Sequence, residues 1–135
     1  MQVNISKSKQ SSIWALYDKD FGLFLMHCSR HNISYVSIDP KYVRKAHRAL
    51  KSLLLKAKET PKEGNFEHIN KTTAIAFFSE YSRGDGIFEI SEAGVFHVLT
   101  VLEAQKLCNF LIDVVFEEFD IKELAEDFVK NSRKK

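Results

Sequence analysis

The chain has 135 residues, 44% of them hydrophobic, and a net charge of +2, which suits one domain with a sizeable core. Two cysteines, Cys28 and Cys108, are too few for the disulfide framework of a small secreted domain, and no apolar run approaches the ~18 residues of a membrane-spanning helix. The polar stretch from Met1 to Ser12 lacks a signal-peptide core, so a soluble cytoplasmic domain with free thiols is expected.

The first predicted strand covers residues 13–17, Ile-Trp-Ala-Leu-Tyr, and the polar Asp18-Lys19-Asp20 turns the chain. Residues 21–28 form a second strand with apolar residues on both faces, the mark of a central position in a sheet. After a turn at Ser29–Asn32, residues 33–38 alternate as a third strand. Asp39-Pro40 then announces a helix, because Asp39 can accept from free backbone N–H groups and proline suits the first helical position. Val43, Ala46, Leu50, Leu53, Leu54 and Ala57 follow helical spacing, and the helix should stop before Pro61.

Residues 60–72 read as a polar linker. The pattern then returns: strands at 74–81, 87–91 and 95–99, with a turn signal at Arg83-Gly84-Asp85-Gly86 and another at Glu92-Ala93-Gly94. Thr100 and Glu103 have the spacing of a capping box, which opens a helix with an apolar stripe at Leu107, Phe110, Leu111, Val114 and Val115. A short C-terminal helix is expected from Asp120 to Phe128, followed by a basic tail at 131–135. The expected fold is therefore α+β: two strand-strand-strand-helix halves, 13–58 and 74–118, forming antiparallel sheet packed against helices. Helix caps, turns and stripes repeat at a spacing of 61 residues, with negligible identity between the halves.

The halves differ in charge. Residues 1–62 hold twelve Lys/Arg against four Asp/Glu, a balance of +8; residues 63–135 hold eight against fourteen, a balance of −6. A basic half suits phosphates, but opposite charges equally suit association of two halves or two protomers.

Few residues point to catalysis. His27, Cys28 and His31 are close in sequence, but His27 and Cys28 are adjacent on a strand and face opposite ways, so no metal site is expected. Cys108 lies mid-helix beside Glu103 and Asp113 and reads as an inert buried thiol. There is no P-loop, no His-Glu-x-x-His and no nucleophile elbow. A non-catalytic role without cofactor follows. Two surfaces stand out. The basic helix offers Arg44, Lys45, Arg48 and Lys51 as phosphate contacts, or as an ordinary solvated face. The strands carry Trp14, Tyr17, Phe24, Tyr35, Phe77, Phe78, Tyr81, Phe88 and Phe96, and some of these must point away from the helices. With Lys19, Arg30, Lys71 and Arg83 near them, such rings suit base stacking with phosphate contacts, or packing in an interface.

The segment from Ile75 to Glu92, Ile-Ala-Phe-Phe-Ser-Glu-Tyr-Ser-Arg-Gly-Asp-Gly-Ile-Phe-Glu-Ile-Ser-Glu, resembles the strand-turn-strand of PUR-repeat proteins. The Whirly family is similar in outline. The resemblance covers about 45 residues of the second half. It implies two intertwined repeats, each of four strands and a helix, that bind single-stranded DNA or RNA. Residues 3–9 and 66–70 would supply the fourth strands. By position, Tyr81 and Arg83 would lie at the ligand-binding hairpin and Phe78 on the sheet, with Trp14, Tyr17 and Lys19 corresponding in the first half. The alternative is a protein-interaction module such as an immunity protein, a phage-encoded inhibitor or an assembly factor. A homodimer is also expected, because Phe110, Phe116, Phe119 and Phe128 offer more apolar surface than one thin layer uses.

Overall fold

A computed structural model describes residues 1–60, 62–78, 86–118 and 128–130. Strands β1 (Gln2–Lys7), β2 (Ser11–Asp18), β3 (Gly22–Ser29) and β4 (Ile33–Ile38) form one antiparallel sheet in chain order. A 3₁₀ turn at Pro40–Tyr42 leads into α1 (Val43–Glu59). A second antiparallel sheet follows, again in chain order: β5 (Asn65–His68), β6 (Thr73–Phe78), β7 (Ile87–Glu92) and β8 (Val95–Thr100). The chain then enters α2 (Val101–Glu118). The α+β architecture stands, with a fourth strand in each half, at the start of the chain and in the segment read as linker. Of the expected C-terminal helix, residues 128–130 are helical; residues 120–127 lie outside the described residues, as does the turn at 83–85.

The local signals act as their chemistry dictates. Asp39 Oδ1 accepts from the Lys41 N–H at 3.1 Å, which caps the 3₁₀ turn and starts α1 one turn late. The capping box closes: Thr100 N–H donates to Glu103 Oε1 at 2.8 Å and Glu103 N–H to Thr100 Oγ1 at 3.1 Å. Gly22 enters β3 at φ +103°, and a Cβ there would run into the Ile38 carbonyl oxygen of the neighbouring strand. Ala93 and Gly94, both at positive φ, make the tight link from β7 to β8.

The helices cross over. α1 follows the first sheet but packs against β5 and β6 of the second, while α2 follows the second sheet and packs against β1 and β2 of the first as well as β7 and β8. The helices also pack on each other. Their buried sides, Val43, Ala46, Leu50, Leu53 and Ala57 on α1 and Ala104, Leu107, Leu111 and Val114 on α2, join the inner faces of both sheets in a single apolar core. Neither half has a core of its own. The sheets meet where β4 approaches β7 and β8. There the Glu92 carboxylate accepts from the Ser37 N–H at 2.9 Å, which occupies a backbone donor that an edge strand leaves open.

His97 completes this junction. It is 6% exposed, with Nε2 3.0 Å from Ser34 Oγ and its ring edge-on to His27 at 6.0 Å. Among the described residues its buried Nδ1 has no hydrogen-bond partner. Burial, and secondarily His27, lowers its pKa below the ordinary value of 6.5. Above that value the ring is neutral in both states and its titration does not affect stability. As pH falls through it, the unfolded chain takes up the proton first, so stability starts to fall there and levels off below the folded pKa. His47 behaves alike, through burial and then Lys51 and Arg48. Urea unfolding at about pH 7.5 and about pH 5.5, either side of the ordinary histidine value, should show this loss. It should be smaller in His97→Asn, with a remainder from His47.

Candidate nucleic-acid interface

Strand parity decides what each sheet displays. On β2, Ile13, Ala15 and Tyr17 are buried and Trp14 and Leu16 between them are half-exposed. On β3, Leu23 and Leu25 point inward and Phe24, Met26 and Cys28 outward. Register places Trp14 beside Met26 and Met26 beside Tyr35, and in the next row Leu16 beside Phe24. The outer face of the first sheet thus carries Trp14, Leu16, Phe24, Met26, Cys28, Ile33 and Tyr35. Tyr35 is 56% exposed, and its ring meets that of Phe24 at 6.1 Å and 60°. Trp14 Nε1 donates to Ser12 Oγ at 3.2 Å, which holds the indole along the sheet. A recess of about 240 Å³ opens among Gln2, Trp14, Leu16, Met26 and Cys28.

The face has a charge polarity. Among the described residues its strands contribute one outward carboxylate, Asp18, at the far end of β2. The β1–β2 and β3–β4 turns lie at one end and hold exposed Lys7, Lys9, Arg30 and His31. The β2–β3 turn lies at the other end with Asp18 and Asp20, where Asp18 Oδ1 accepts from the N–H groups of Asp20 and Phe21 at 2.8 and 3.1 Å. Lys19 stands in that turn between two carboxylates.

The residues singled out from the sequence therefore divide among several places. Trp14 is on the outer face, with Arg30 at its basic end and Lys19 at its acidic end. Tyr17, 8% exposed, is on the opposite side of the same strand and packs in the core, because it is three residues from Trp14 and the side-chain period is two. Its ring is closed to a ligand. Arg44, Lys45 and Arg48 are on α1, which sits on the other sheet. Lys45 and Arg48 line a recess of about 230 Å³ with Ser52, His68 and Glu67, whose carboxylate is 3.8 Å from Lys56 Nζ. Phe78 ends β6, partly exposed on the outer face of the second sheet, while Phe77 and Phe88 are core. Tyr81 and Arg83 lie outside the described residues. Of the phenylalanines considered for self-association, Phe110 is buried and Phe116 and Phe128 are exposed; Phe119 is outside the described residues. Lys7, Lys9, Leu16 and Met26 were missed. Parity would have found Leu16 and Met26 once Ile13 and Ala15 were assigned inward.

Chemically the face can stack planar groups and attract anions at one end. Among the described residues no group of three or more His, Cys, Asp or Glu is placed to hold a metal ion. The Cys108 thiol is buried in α2, and burial pushes its pKa up, outweighing the opposite pull of Lys51. No helix among the described residues is long and apolar enough to cross a membrane. Comparison with known proteins found no matching family model, curated relative or solved structure.

Proposed function

We propose that this protein binds single-stranded DNA or RNA on the outer face of its first sheet, without catalysis. The observation that carries the reading is the conjunction on one face: Trp14, Phe24 and Tyr35 as exposed or half-exposed stacking surfaces, Lys7, Lys9 and Arg30 at one end, and the face's outward carboxylate, Asp18, held at the opposite end. Bases of any identity stack on aromatic rings, and phosphates track cations, so such a surface tolerates many sequences. The PUR-repeat resemblance of the second half implies the same ligand class.

The protein's single tryptophan is Trp14, so binding can be read without a label. Titration with a mixed-sequence oligonucleotide at low salt is expected to quench its emission. Three cations at the basic end give a log–log dependence of affinity on salt with a slope of about −2 for a single strand. A duplex of the same sequence should bind more weakly, because its bases are already stacked. Absence of quenching and of anisotropy change at tens of micromolar protein would end this reading.

A further inference from the structure

The outer face of the second sheet also carries exposed side chains, but its character differs. Phe66 is 63% exposed and Phe96 60%, with Val98 exposed beside them. Register sets one row across the face as Phe66, Ala76, Glu89 and Val98. The small Ala76 separates Phe66 from Glu89 in that row, and Phe96 lies in the next row beside Val98. Glu89 stands in that row on the interior strand β7, half-exposed, with no ion pair or hydrogen bond to its side chain among the described residues.

We infer that this face docks a protein segment that carries one arginine or lysine between apolar side chains, with Glu89 receiving the cation. The apolar flanks pack on Phe66, Phe96 and Val98 and shield the ion pair from water, where it gains strength. The rims of Phe66 and Phe96 add faces over which a guanidinium can lie. Charge discriminates against the other occupants. A second copy joined through this face about a two-fold axis would bring two Glu89 carboxylates together. Nucleic acid would set phosphates against the same group.

The test uses the full chain and a short fluorescent peptide with one arginine flanked by leucines at alternate positions, against the same peptide with glutamate in place of arginine. Micromolar binding of the arginine peptide alone is expected. Glu89→Gln should weaken it about tenfold, and Phe96→Ser should remove it, with circular dichroism and Trp14 quenching by oligonucleotide unchanged. The proposal is overturned by any of four results. These are no binding, equal binding of both peptides, an arginine-peptide affinity indifferent to Glu89→Gln, or displacement of the peptide by oligonucleotide. Light scattering that shows a dimer dispersed by Phe96→Ser would assign the face to a second copy instead.

Discussion

Replacing Phe88 with alanine is expected to destabilise the protein by about 3–5 kcal/mol, the range for emptying a buried aromatic site. Phe88 is fully buried on β7, and its ring meets that of Phe77 at 5.1 Å. Its cross-strand neighbours are Phe77 and Leu99, both core residues held in the sheet ladder, so the site cannot collapse to fill the void. Against a typical total of about 5–15 kcal/mol, this loss brings the chain near its unfolding threshold. The crossed helices predict how it unfolds. Sheet one is covered by the helix that follows sheet two, and sheet two by both helices. A lesion under the second sheet must therefore release the first. Trp14 lies in the first half, so its emission and far-UV circular dichroism should share one lowered urea midpoint in Phe88→Ala. Retention of the wild-type midpoint by Trp14 emission alone would show that the halves unfold independently, contrary to the shared core.

The sequence made the local elements legible because their signals are short-range. The Asp39 cap, the Thr100–Glu103 box and the alternation of β2 each need only a few adjacent residues, and each takes the expected form. What it hid was long-range. β5 is four residues long, Asn-Phe-Glu-His, and carries too little apolar pattern to stand out from a linker; it forms because β6 offers a partner edge. β1 contains the one core position Ile5 with half-buried Val3, a weak stripe by itself. The crossing of the helices leaves no mark in composition, since an amphipathic stripe fits either sheet. That crossing also split the candidate site: α1 carries Arg44, Lys45 and Arg48 to the second sheet, away from Trp14. The PUR-repeat resemblance puts Tyr17 with Trp14 as a ligand contact, whereas strand parity turns it inward.

These placements separate two kinds of aromatic and make the binding proposal sharp. Trp14→Ala should weaken oligonucleotide affinity by about 1–3 kcal/mol, the worth of one stacked base, or about five- to 150-fold. Tyr35→Ala, anisotropy being the readout, should act in the same direction. Both rings are already in contact with solvent, so folding stability should fall far less than in Phe88→Ala. Tyr17→Ala should do the reverse, with a lowered urea midpoint and little effect on affinity under conditions where the variant stays folded. Lys45→Gln with Arg48→Gln provides the third arm: α1 lies on the second sheet, so affinity should stay within about twofold, the loss of distant screened charges. Arg30→Gln, at the basic end of the proposed face, should lower affinity and flatten the salt slope by about 0.7, one phosphate contact. If the α1 pair proves costly and Arg30 silent, the ligand lies along the helix and not on the sheet. The first half's charge would then still draw nucleic acid, but Trp14 would have no part in holding it.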